Sequence, residues 1–81
     1  VTAITDGELK TAFGETVRKF RTARGLSQEK LAERANIHRT YIGDVERGLR
    51  NIALVNMRRI ASALEVSLSA LIAEMEKRED A

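Results

Sequence analysis

Apolar residues recur at spacings of three and four along most of this chain, and no proline interrupts them. That rhythm follows the 3.6-residue turn of a helix, whereas a half-buried strand would alternate at every second residue. Leu9, Phe13, Val17 and Phe20 form the first such stripe. The chain has 81 residues and no cysteine, so neither a disulfide nor a thiolate metal site can hold it together. A chain of this length suits one domain, which must bury roughly 60–65% of its extended surface in a continuous core. Helix faces packed on helix faces are the structure that this pattern specifies.

Five helices are expected. The first covers residues 9–24 and ends at Gly25, which readily takes the left-handed conformation. Gly14 weakens it by ~1 kcal/mol relative to alanine, a cost that close helix packing would explain. Leu26 plugs into the core and Ser27 caps a second helix, 27–35, although Lys30 in the third helical position leaves its capping box incomplete. Leu31 and Ala35 face inward, and the small Ala32 permits two backbones to approach. Asn36 tolerates positive φ, so a sharp turn is expected there, anchored by Ile37. A third helix, 38–47, turns Ile42, Val45 and part of Tyr41 inward and stops at Gly48. Ile52 and Leu54 lead into a fourth, 54–64, with Met57, Ile60, Ala61 and Leu64 on its apolar face. Val66 bridges to a fifth, 67–76, capped by Ser67 and carrying Leu68, Leu71, Ile72 and Met75.

The domain therefore spans 9–75, with 1–8 and 77–81 as flexible ends. Its expected core is Phe13, Val17, Phe20, Leu31, Ala35, Ile42, Val45, Leu54, Ile60, Leu64, Leu68 and Leu71. The fold class is all-α.

The net charge of +2 hides a strong asymmetry. From Arg18 to Arg59 there are eleven Lys/Arg against four Asp/Glu, while the two ends hold three basic and eight acidic residues. A basic middle suits a polyanion, with solvated helix surface as the plain alternative. No apolar run approaches the ~20 residues that cross a bilayer, and nothing reads as a signal peptide, so a soluble, cytoplasmic, bacterial protein is expected, without a membrane partner. One histidine, no glycine-rich phosphate loop and no nucleophile–base arrangement leave catalysis without residues to carry it. Neither a metal, a cofactor nor a small-molecule effector is implied.

Two short helices joined by a tight turn make a helix-turn-helix, here Gln28 through Ile42. At this stretch the chain resembles the phage-repressor-like (Cro/CI-type, XRE-type) helix-turn-helix family, from Phe13 to Ile72. The matching phrases are Leu26-Ser27-Gln28-Glu29 with Leu31-Ala32, Tyr41-Ile42, and Val45-Glu46-Arg47-Gly48. Ile60-Ala61, Ala63-Leu64, Val66-Ser67-Leu68 and Leu71 complete the series. Within the family, Arg39-Thr40-Tyr41-Ile42 and Arg50-Asn51 are most similar to the controller proteins of restriction–modification systems. That resemblance implies a five-helix fold and a small homodimer that binds a palindromic operator and regulates its own operon. Two positions depart from the family pattern. Asn36 stands for the usual turn glycine, and His38 stands where a Ser, Thr or Asp cap is usual.

The recognition helix of such a motif puts its N-terminal side chains on base edges. The outward residues Arg39, Thr40, Gly43 and Asp44 are the base-reading candidates. Arg39 can donate two bonds to guanine, and Thr40 can use its hydroxyl or methyl. Gly43 would let the backbone come close. Asp44 accepts from cytosine or, as the favoured role, orients a neighbouring arginine. The phosphate candidates are Gln28, His38, Tyr41, Arg47, Arg50 and Asn51, and Gln28 resembles the family's phosphate-binding glutamine. His38 can accept a backbone N–H when neutral, approach a phosphate when protonated, or stay idle in solvent. Glu46 is expected to pair with Arg18 or Arg21 in an exposed bridge contributing ~0.2–1 kcal/mol. Ile72 and Met75, with part of the fourth helix, are expected at a two-fold contact that sets recognition helices ~34 Å apart.

The expected function is sequence-specific binding of double-stranded DNA for transcriptional control. An antitoxin, the N-terminal domain of a longer regulator and a protein–protein module on the same fold are the alternatives. Val1 in place of methionine permits a trimmed start or an excised fragment.

Overall fold

A computed structural model describes residues 4–79 of the chain. Among these residues there are five helices and no strand: α1 Asp6–Ala23, α2 Gln28–Ala35, α3 Arg39–Glu46, α4 Leu54–Ala63 and α5 Leu68–Glu79.

Helix α1 starts three residues before the expected Leu9, because Thr5 and Glu8 form a complete capping box. The Thr5 hydroxyl accepts from the Glu8 amide at 3.0 Å, and the Glu8 carboxylate accepts from the Thr5 amide at 2.9 Å. Those bonds from Thr5 hold the Glu8 carboxyl below its ordinary pKa. At the other end, α5 runs on to Glu79, past the expected stop at 76. Arg78 lies 3.7 Å from Glu15 and 3.9 Å from Glu74, while Lys19 pairs with Glu74 at 3.0 Å, so the charged end of α5 is fastened to α1. Of the ends expected to be flexible, residues 6–8 and 77–79 are thus helical, and 1–3 and 80–81 lie outside the described residues.

The core gathers Phe13 and Val17 of α1, Leu31 and Ala35 of α2, Ile42 and Val45 of α3, Ile60 and Leu64 of α4, and Leu71 of α5. Phe20 and Leu68 pack on it while partly buried. Leu54 does not join it, being 64% exposed. Ile52 of the connector and Met57, one turn into α4, pack against the cluster instead, and Leu54 at the first helical position is left outside. Gly14 is where α1 crosses α3. A Cβ there would lie 2.8 Å from the Glu46 carbonyl oxygen and closer still to that of Val45, so the glycine is a condition of the crossing.

Candidate nucleic-acid interface

Helices α2 and α3 meet through a tight turn at Asn36–His38. Asn36 sits in the left-handed region at φ 56° and ψ 46°. The Ile37 amide reaches back to the Ala32 carbonyl at 3.0 Å, and Ala32 itself is 3% exposed at the contact between the helices. Ser27 caps α2 through a 3.0 Å bond from the Lys30 amide. His38 holds the N-cap position of α3 in extended geometry, yet its side chain makes no capping bond. The first-turn amides of α3 therefore lack a side-chain acceptor, and such donors favour an anion.

The outer face of this unit is a shallow concavity of about 280 Å³ lined by Gln28, Arg39, Thr40, Gly43 and Arg47. Arg39 and Thr40 stand exposed on its edge. The Arg39 guanidinium lies 3.6 Å from the Glu29 carboxylate, both side chains more than two-thirds exposed, so this pair is weak and easily exchanged. Gly43 is buried, contrary to the open position expected for it. The reason is local: a Cβ there would lie 3.5 Å from Arg47 Nη1 and 3.5 Å from Gln28 Oε1. The bare backbone is covered by the ends of two flexible side chains, which can move aside.

Below and beside this face the arginines are braced. Asp44 accepts from Arg47 Nη2 at 2.5 Å and from Arg50 Nε at 3.1 Å. The Arg50 guanidinium also lies over the Tyr41 ring, 5.1 Å from its centroid. Gln28 Nε2 donates to Glu46 at 3.0 Å. Glu46 takes a forked pair from Arg21, at 2.6 Å from Nε and 3.0 Å from Nη2, and Arg21 Nη1 caps the Leu26 carbonyl at 2.8 Å. The bond to Glu46 raises the Arg21 pKa above its ordinary value. This bridge was expected to be exposed, but the two side chains are only 12% and 4% accessible. The crossing at Gly14 brings α1 and α3 close enough to enclose it.

The chain matches the helix-turn-helix family over residues 17–71. The control protein C.BamHI of Bacillus amyloliquefaciens is 45% identical over 65 residues, covering 79% of this chain and 80% of that protein. The restriction–modification controller C.AhdI of Aeromonas hydrophila has a similar structure, with a TM-score of 0.75 at 47% identity over 76% of this chain and 94% of that one. A second solved structure, the C.Esp1396I controller tetramer in complex with its natural 35 base-pair operator, gives a TM-score of 0.81 at 33% identity, covering 86% and 92%. This chain belongs to the helix-turn-helix family. The controller resemblance read from Arg39-Thr40-Tyr41-Ile42 and Arg50-Asn51 agrees with these relatives.

Within this helix-turn-helix protein, the candidates named from sequence are distributed unevenly. Gln28, Arg39, Thr40, Gly43 and Arg47 share one concavity. Tyr41, Asp44 and Arg50 form a cluster beside it. Asn51 is exposed, and with Arg50 it borders a different, apolar cavity of about 260 Å³. That cavity is walled by Phe13, Ile52, Met57, Ile72 and Met75. Ile72 and Met75, expected at a two-fold contact, are half-buried, pack against the core and line this cavity. Two links were missed altogether. Glu29 as the partner of Arg39 has no signal in sequence, because the two lie on different helices. Gln28 joined to Glu46 was equally hidden, since only the fold brings residues eighteen apart together. Among the described residues no group of acidic or histidine side chains can hold a metal ion, and no helix is long and apolar enough to cross a membrane.

Proposed function

We propose that this helix-turn-helix protein is a cytoplasmic transcriptional regulator of the restriction–modification controller kind, binding a palindromic operator as a homodimer and controlling its own operon. The observation that carries this reading is the outer face of α3. Exposed Arg39 and Thr40 stand beside a backbone covered only by the ends of the Gln28 and Arg47 side chains, and the flanking Arg50 is held by Asp44. The solved operator complex of the similar C.Esp1396I supports the same use of the fold.

In the proposed complex α3 lies in the major groove, with Arg39 donating to a guanine edge and Thr40 reading beside it. Gln28 and Arg47 withdraw from over Gly43 as the groove closes on α3. Gln28 then turns its Nε2 donor from Glu46 to a phosphate oxygen at the start of α2. Tyr41, Arg50, Asn51 and His38 contact the backbone and set the register. Catalysis plays no part in this mechanism. Selecting bound duplexes from a random pool and footprinting the consensus tests it. The expected outcome is an inverted repeat whose half-sites are about one helical turn apart. A pool that stays random after repeated selection would remove sequence recognition.

A further inference from the structure

The apolar cavity bordered by Arg50 and Asn51 has no part in the proposed DNA contacts. It holds about 260 Å³, and three helices wall it, with Leu9 and Phe13 from α1, Met57 from α4, and Ile72 and Met75 from α5. Its border carries charge of one sign only. Lys10 of α1 meets Arg50 and Asn51 of the α3–α4 connector there, and no acidic residue lines the cavity. Lys10 is half-buried and takes part in no ion pair among the described residues. Arg50 shares its carboxylate, Asp44, with Arg47, so two guanidiniums meet a single negative charge. An anion arriving at this border therefore finds two cations whose charge is not fully balanced, beside a surface that water wets poorly.

We infer that this cavity binds a small aliphatic monocarboxylate, its chain among the apolar walls and its carboxylate on Lys10 and Arg50. Scaling from the ~150 Å³ that houses benzene, the volume suits a tail of about eight to ten carbons. Met57 and Met75 are unbranched and adaptable, so the walls can follow a chain that has no fixed shape. An apolar pocket with a few convergent polar groups is the usual form of a small-molecule site. Sequence implied no effector because the walls come from four separate segments that only the fold assembles. The consequence for DNA rests on the proposed function, in which Arg50 and Asn51 contact the backbone. A carboxylate bound at Arg50 competes with phosphate for that guanidinium and adds a negative charge beside it. Carboxylate and operator then weaken each other by the same factor.

Both methionines of the chain line the cavity, so isotope-labelled methionine methyl groups report on it directly. Octanoate added to the full chain should shift the Met57 and Met75 signals saturably, with a Kd of about 1 mM or tighter. Lys10→Met should weaken octanoate by about fivefold or more while leaving octanol binding, and operator binding without ligand, as in wild type. Ile72→Phe, which narrows the cavity, should weaken both ligands with unchanged far-ultraviolet circular dichroism. Saturating octanoate should weaken wild-type binding to the selected operator by about fivefold or more. Methionine signals that stay in place, or a Lys10→Met variant that takes octanoate as wild type does, would overturn the site. Octanoate that binds only as a dimer falls apart, read by sedimentation, would assign the cavity to a second copy instead. Shifted methionines with unchanged operator affinity would overturn the competition at Arg50. A protein that takes up octanoate but no duplex would uphold the site and sink the DNA reading together with the competition.

Discussion

At the scale of single residues, the molecule separates side chains that wait from side chains that hold. Arg39 is exposed, and its pairing with Glu29 is long and open to solvent, so little must be given up when it meets a base. Arg50 is fixed by Asp44 and the Tyr41 ring, a placement suited to a positional contact with the phosphate chain. The two should respond differently to truncation. Arg39→Ala is expected to weaken binding to the selected operator by about 1–3 kcal/mol while barely changing binding to random duplex. Arg50→Ala should weaken both alike and reduce the salt slope by about one. Equal losses for Arg39→Ala on both duplexes, read by titration at several salt concentrations, would assign it to the backbone instead. Glu46 acts at one remove from DNA. Its removal leaves a largely buried Arg21 guanidinium and Gln28 without their acceptor, so Glu46→Ala should cost about 3 kcal/mol in chemical denaturation. A loss below ~1 kcal/mol would show the pair to behave as a surface bridge.

At the scale of elements, the ends of the helices decide more than their middles. Helix α3 has eight residues and an N-cap that makes no side-chain bond, so its first turn leans on tertiary packing of Ile42 and Val45. The extended geometry at His38, φ −65° and ψ 140°, is one that a serine cap adopts. His38→Ser is therefore expected to stabilise the protein by about 1 kcal/mol, with slower amide exchange in the first turn of α3. No change in the denaturation midpoint would mean that the histidine already satisfies those amides through water. The α1 cap was written in the chain as Thr5 followed three residues later by Glu8, and the expected start at Leu9 missed it because the apolar stripe begins later than the helix does. The extension of α5 was not written locally at all. A run such as Glu76-Lys77-Arg78-Glu79 reads as a fraying tail, and what holds it is the reach of Arg78 to Glu15 on another helix.

For the whole molecule, the ion pairs Glu15–Arg78 and Lys19–Glu74 fasten α5 to α1. Glu74 illustrates the consequence. The Lys19 bond chiefly, with Lys77 and Arg78 adding to it, holds its carboxyl below the ordinary value of 4.5. Glu8 is lowered by Thr5 in the same sense. A carboxyl lowered on folding contributes stability that is present above its unfolded pKa and is lost as pH falls through the folded one. Thermal unfolding should thus be insensitive to these two groups above about pH 5, and the midpoint should drop as pH falls below 4.5. The double variant Glu8→Gln, Glu74→Gln should show a shallower acid limb than wild type. An identical acid limb in both proteins would transfer that dependence to other carboxylates.

The division between what sequence and tertiary structure each determine follows the range of the interactions. Helical periodicity, the left-handed turn at Asn36, the Ser27 cap and the inward Ile42 and Val45 are local properties, set within a few residues, and the chain alone specified them. The controller-like phrase Arg39-Thr40-Tyr41-Ile42 and the basic middle were legible for the same reason. The burial of Gly43, the enclosure of Arg21 with Glu46, the grip of Glu46 on Gln28 and the exposure of Leu54 were not. Each depends on which helix crosses which and how closely, as at Gly14, where the absence of one Cβ lets α1 settle against the end of α3. Sequence named the side chains that face outward from a helix axis. Only packing decided which of them another element would cover.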